Sequence, residues 1–178
     1  MKFNEAAAWL HKGNIIFYPT EAVYGVGADP MNQAACASIL NIKGRSASAG
    51  FIIIASELQQ LTPFIDPSVM SELMHFKWPK HTTYVLPKSS DCPNWLVGQF
   101  STIACRITQH TTSRLLCEAF GGAIVSTSAN PSGLPPARNK QALLSYFGRQ
   151  TAILSGRLGR AKKPSRIIDW ATHNVLRD

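Results

Sequence analysis

Phe51-Ile52-Ile53-Ile54-Ala55 is apolar at every position. Such a run leaves no polar face for water, so it reads as a central strand of a sheet, apolar on both faces. Working outward, Ile15-Ile16-Phe17-Tyr18 predicts a second buried strand, stopped by Pro19. Further strands are predicted at Thr83–Leu86, Thr102–Thr108, Ala123–Ser126, Ala152–Leu154 and Arg166–Trp170. Asn4 caps a predicted helix that runs to Lys12 and is ended by Gly13. Other helices are predicted from Asn32 to Ile42 and over Val69–Phe76, Thr112–Phe120 and Lys140–Phe147. The stretch from Tyr18 to Pro30 reads as a glycine-punctuated loop. Strands interleaved with helices predict an α/β sheet covered on at least one face. Its polar loops are expected at one sheet edge, where open α/β sheets bind ligands.

The 178 residues suit one domain, 1–178, able to bury a core without staples. Cys36, Cys92, Cys105 and Cys117 form no CxxC pair, so neither a zinc site nor a disulfide framework is indicated. No stretch approaches the length of a membrane span, and the N-terminal apolar run is too short for a signal peptide. A cytoplasmic protein with no membrane association is the expectation. The net charge is +8, and its position matters more than its size. Residues 1–133 carry nine basic and eight acidic side chains, whereas 134–178 carry nine basic and two acidic. The last quarter therefore predicts either a solvated face or a surface for an acidic partner.

Three stretches carry candidate chemistry. Tyr18-Pro19-Thr20-Glu21-Ala22-Val23-Tyr24-Gly25-Val26-Gly27-Ala28-Asp29-Pro30 places a hydroxyl and two glycines after a buried strand, where backbone N–H groups can approach an anion. Neither GxGxxG nor GxxxxGK[ST] occurs, which disfavours dinucleotide and P-loop sites. Lys43-Gly44-Arg45 offers a point charge and a planar fork for a phosphate or carboxylate. Ser126-Thr127-Ser128-Ala129-Asn130-Pro131-Ser132-Gly133 delivers hydroxyls and an amide from a strand into a turn, neutral donors able to hold phosphate oxygens. Arg106 sits in the apolar run Ile103–Ile107 and needs a partner if it points inward. No GxSxG elbow and no HExxH occur, and His75 and His81 read as surface or packing histidines. Donors and cations with few acids or bases stabilise anions rather than move protons, which suits phosphoryl or nucleotidyl transfer.

YPTEAVYGVGADP, the KGR pair, the segment Trp78–Thr83, ACRIT, VSTSANPSGLPP and PSRIID occur in an order and spacing that resemble the YrdC family, in its short stand-alone branch, from about Ile15 to Asp169. The resemblance implies a single-domain twisted open mixed sheet with flanking helices, a YrdC-like fold similar to the RibB-like fold, with a basic concave surface. It implies condensation of L-threonine, bicarbonate and ATP into threonylcarbamoyl-AMP with release of pyrophosphate. Mg2+ accompanies ATP as substrate, and no tightly bound protein-ligated metal is expected. Implied partners are t6A-transfer proteins, which pass the product to adenosine 37 of tRNA, and tRNA or double-stranded RNA on a basic surface.

Carried to this chain, Lys43 and Arg45 would be the catalytic cations. Lys43, Arg45, Ser126, Ser128, Asn130 and Ser165 would hold the nucleotide. Thr20, Arg45, Thr83 and Arg106 would hold threonine. The sequence departs from the family pattern where Ser46-Ala47-Ser48-Ala49 follows Arg45. It departs again where Lys80-His81 replaces the Gly-Pro of a WPGPxT segment, and where Arg166 follows Pro164-Ser165. A non-catalytic RNA-binding module in ribosome or tRNA maturation is the alternative. The carbamoyltransferase of hydrogenase maturation shares a related domain, but its acylphosphatase and zinc-finger regions are absent from this sequence.

Overall fold

A computed structural model of the chain describes residues 1–149 and 151–178. In chain order the first half holds α1 (Phe3–His11), β1 (Ile16–Pro19), β2 (Tyr24–Ala28), α2 (Gln33–Lys43), β3 (Ile52–Ala55), α3 (Met70–His75) and β4 (Thr82–Pro87). There follow α4 (Asn94–Val97), β5 (Thr102–Ile107), α5 (Thr111–Phe120), β6 (Ile124–Ser128), α6 (Lys140–Phe147), β7 (Arg166–Asp169) and β8 (Val175–Arg177). The strands form one mixed sheet in the order β1-β2-β6-β3-β5-β4-β7-β8, so the Phe51–Ala55 run supplies an interior strand as expected. β3 pairs parallel with β5 and antiparallel with β6.

Strand alternation divides the side chains between two layers. Phe17, Val26, Ile53, Tyr84, Leu86, Ile103, Cys105 and Val125 enter the larger core with Ile39 of α2, Leu96 of α4 and Leu143 of α6. Ile16, Tyr18, Ile54 and Ile124 point the other way and pack on Ala6 and Leu10 of α1 and Leu116 and Cys117 of α5. All four cysteines are buried and free.

Three predicted elements are corrected, and one strand is added. The first helix starts at Phe3 rather than after Asn4, because the Lys2 N–H donates to Glu5 Oε2 at 2.9 Å and closes the first turn two residues earlier. The glycine-punctuated loop contains β2, paired on both sides with β1 and β6. Its glycines are there for space: a Cβ at Gly27 would lie 2.5 Å from the Val125 oxygen and 3.0 Å from the Tyr18 ring. Ala152–Leu154 is a single bridge from Ile153 to Phe17, not a strand. Finally, β8 adds a short edge strand of exposed residues that the hydrophobic pattern does not announce.

Candidate functional site

The helices α1 and α5 cover only part of their face of the sheet. Beyond them, Ser126, Ile52, Ala104, Val85 and Asp169 stand opposite one another in a single row across β6, β3, β5, β4 and β7. Residues two places along each strand share that face, which adds Ser128, Arg106, Thr102 and Ile167. All of these line one cavity of about 540 Å3, a size typical of small-molecule sites. The cavity therefore opens on the face of the sheet, roofed by the turn after β1 and the segment before β7.

Helix α2 aims the basic pair. Asn32 caps its start by accepting from the Ala35 N–H at 2.9 Å, and Gly44, at φ +57°, ends it in the left-handed conformation. Arg45 then turns into the cavity. Its Nη1 donates to Thr127 Oγ1 at 2.9 Å, and its Nη2 donates to the Gly50 oxygen at 2.8 Å. The guanidinium lies over the Phe51 ring, 5.9 Å from its centroid. Among the described residues no carboxylate pairs with it, and burial lowers its pKa. It is a fixed, uncompensated cation on the cavity wall.

Lys43 behaves differently. Its ammonium is buried behind the wall, where Nζ donates to the Ser128 oxygen and, at 2.8 Å, to the Asn130 oxygen. Burial, and secondarily the charge of Arg45, bring its pKa down to about 8. The turn after β6 is thus strapped to the end of α2, a link reinforced by the Ser132 N–H donating to the Lys43 oxygen at 2.7 Å.

Hydrogen-bond direction assigns the hydroxyls. The Tyr18 O–H, its pKa raised by burial, donates to Ser126 Oγ at 2.8 Å, so the proton of Ser126 is free for another acceptor. Thr20 Oγ1 donates to the Val23 oxygen at 2.7 Å, which leaves its lone pairs for an incoming donor. Thr83 lies fully buried with its Oγ1 2.8 Å from Ser165 Oγ, so it supports a lining residue rather than lining the cavity itself.

Arg106 does point inward, and it has a carboxylate partner: Nη1 lies 3.3 Å from Glu21 Oε2, while Glu21 Oε1 accepts from Thr108 Oγ1 at 3.0 Å. Burial raises the pKa of Glu21, but Arg106, a backbone N–H and Thr108 outweigh it and leave the group below its usual range.

The structure therefore brings Thr20, Arg45, Arg106, Ser126, Ser128 and Ser165 onto one wall. Lys43, Asn130 and Thr83 stand outside that lining, each tied to a residue of the wall or its turn. Among the lining residues given no role in the sequence reading are His81 and Arg177. His81 is not a surface or packing histidine but faces the cavity, whereas His75 is exposed. Arg177 reaches in from β8, donating to the Ser165 oxygen through Nε at 3.1 Å and Nη2 at 2.8 Å. A lone arginine near the end of a chain carries no motif; only the strand pairing of β7 and β8 locates it.

Among the described residues no group of three or more His, Cys, Asp or Glu is placed to hold a metal ion. No helix among them is long and apolar enough to cross a membrane. Exposed Arg157, Arg160, Lys162, Lys163 and Arg166 follow one another along the segment that leads into β7.

A family model for Sua5/YciO/YrdC, described as telomere recombination, matches residues 8–178. A threonylcarbamoyl-AMP synthase of Coxiella burnetii (strain RSA 493 / Nine Mile phase I) is 44% identical over 178 residues, covering 98% of this chain and 95% of that protein. One from Cellvibrio japonicus (strain Ueda107) is 42% identical over 179 residues, covering 99% and 95%. The crystal structure of P. abyssi Sua5 complexed with L-threonine superposes with a TM-score of 0.84 at 31% identity. It is matched over 95% of this chain and 52% of that one, so the present chain spans about half the length of that protein.

Proposed function

The chain belongs to the Sua5/YciO/YrdC family, and from that premise we infer that it is a threonylcarbamoyl-AMP synthase, a nucleotidyltransferase acting on L-threonine, bicarbonate and ATP. The observation that carries the reading is that Arg45, the Ser126–Ser128 hydroxyls, Thr20 and Arg106 share one cavity wall. The threonine amine and bicarbonate give a carbamate and water. A carbamate oxygen then attacks the α-phosphorus, and pyrophosphate leaves. Negative charge gathers on the α-phosphoryl oxygens in that step, so preorganised cations and O–H donors supply most of the help.

Arg45 and the free proton of Ser126 are our candidates for that charge, with Ser128 and Ser165 extending the nucleotide site. Thr20, with its lone pairs open, accepts from the threonine ammonium or carbamate N–H, and Arg106 faces the carboxylate. Lys43, Asn130 and Thr83 act through the wall: Lys43 with Asn130 sets the turn after β6, and Thr83 sets the hydroxyl of Ser165. Mg2+ enters as the counter-ion of ATP, carried by its phosphates.

Transfer of the product to tRNA by separate proteins, in a cytoplasmic setting, completes the proposal. The free buried cysteines and the exposed basic run before β7 support it. The test is pyrophosphate release by the purified protein. Release that needs ATP, threonine and bicarbonate together is expected. Folded protein that releases none, yet binds RNA with a steep salt dependence, would replace the synthase reading with a non-catalytic RNA-binding one.

A further inference from the structure

His81 combines three unusual features. Its φ is +56°, in the left-handed region that a non-glycine residue seldom occupies. Its Nε2 lies 2.9 Å from the Lys163 oxygen. A carbonyl only accepts, so Nε2 is the donor, and in the neutral ring Nδ1 is then an acceptor. That Nδ1 is buried without a partner. A left-handed backbone together with an unsatisfied nitrogen, at a residue lining the cavity, marks a place to look for function.

The neighbourhood shows what is being held. The His81 side chain grips the oxygen of Lys163, and its own backbone oxygen accepts from the Arg166 N–H at 3.2 Å. Between those two points lie Pro164 and Ser165, both lining the cavity. Lys162, Lys163 and Pro164 are exposed, so this end of the segment is held by hydrogen bonds rather than packing: Arg138 donates to the Lys162 oxygen on one side and His81 to the Lys163 oxygen on the other. Ser165 is in turn the residue that Arg177 grips, through both its carbonyl and, at 3.3 Å, its hydroxyl. His81 therefore brackets the pair Ser165–Arg177 from outside.

We propose that His81 is a positioning residue for the nucleotide, clamping the Lys163–Arg166 segment so that Ser165 and Arg177 present their donors to ATP. The proposal rests on the nucleotide role assigned above to Ser165. The Lys80-His81 pair, which departs from the family's Gly-Pro, thereby acquires a role as a side-chain clamp at that corner of the cavity.

ATP affinity by titration calorimetry, with steady-state kinetics for ATP and threonine, tests it. His81→Gly suits the positive φ, so it should fold at least as stably as the parent while losing the clamp. Its Kd for ATP should rise about five- to tenfold, with KM for threonine and kcat within about twofold of the parent. His81→Gln, whose amide can donate to Lys163, should recover most of that loss. Ser165→Ala should match His81→Gly, and the double variant should add little to either.

An unchanged ATP Kd in His81→Gly would overturn the clamp. So would an equal rise for ATP and threonine, no recovery in His81→Gln, or full additivity with Ser165→Ala. A parent protein that binds ATP yet releases no pyrophosphate would overturn the synthase reading while the clamp is still judged on the Kd values. A parent that binds no ATP would overturn both.

Discussion

Replacing Glu21 by glutamine keeps the shape of the side chain and removes its charge from beside Arg106. The two groups are 3.3 Å apart, with side-chain exposures of 14% and 8%, so neither is well screened by water. At that separation an effective dielectric of ~20 gives an attraction of about 5 kcal/mol. Not all of it is lost in the variant. Glutamine can still accept from Thr108, and Arg106 lines a cavity that water can enter. A net loss of about 3 kcal/mol is expected, at the low end for a buried pair deprived of one member. Urea denaturation at pH 7 measures it, with an unchanged slope showing that the folded and unfolded states keep their compactness.

Arg106→Met and the double variant complete a cycle whose coupling energy should be about 2 kcal/mol. The pH dependence has a definite sign. The carboxyl of Glu21 is held below its usual range in the folded protein, so its contribution is present above the unfolded value near ~4.3 and is lost as pH falls through the lower folded value. The gap between parent and Glu21→Gln should therefore persist through neutrality and narrow in acid. A loss under about 1 kcal/mol at pH 7, or strict additivity of the two substitutions, would refute the view that this pair holds the wall in place.

Lys43→Met should destabilise the protein by about 2 kcal/mol at pH 7, because the carbonyls of Ser128 and Asn130 lose a buried donor. Lys43 titrates at about 8 in the folded protein and near ~10.4 in the unfolded chain. The unfolded chain thus holds more of this group's protons in between, so the stability of the parent relative to Lys43→Met should rise across that window. The four buried cysteines, their pKa values raised by burial, act alike in both proteins and drop out of that difference, which chemical denaturation at a series of pH values will show. Gly159→Ala should lift the segment before β7 off the turn that carries Thr20 and Glu21, since the new Cβ would lie 2.3 Å from the Glu21 oxygen. We expect a loss of about 1–3 kcal/mol, read by thermal denaturation, and faster amide exchange at Gly159 and Ala161, whose N–H groups donate to Thr20 and Glu21.

Parts of this molecule announce themselves in the sequence because one physical pattern dominates locally. Ile52–Ala55 is a strand in any reading that respects its uniform apolarity, and the hydroxyls of Ser126–Ser128 stand out because a buried strand ends on them. β2 was hidden because its glycines serve a neighbour: they leave room for the Tyr18 ring to cross them and reach Ser126. The roles of Lys43 and Arg45 look interchangeable as neighbouring charges. One step around the left-handed Gly44 sends the first behind the wall and the second through it. His81 and Arg177 were illegible for another reason: each matters through backbone oxygens distant in the chain, at Lys163 and Ser165, and no local pattern encodes such partners.

The cross-sheet row through Ile52, Ala104 and Val85 has a consequence for anyone wishing to rework this protein. Adjacent positions of the same strand answer to different constraints: Ala104 opens toward the cavity, and Cys105, fully enclosed, belongs to the interior. Enlarging the side chain at 104 should subtract reaction space while sparing the packing beneath, whereas enlarging it at 105 should do the reverse. Under the proposed function, substrate preference can thus be redrawn from one side of the strands, with the scaffold on the other side left as it is.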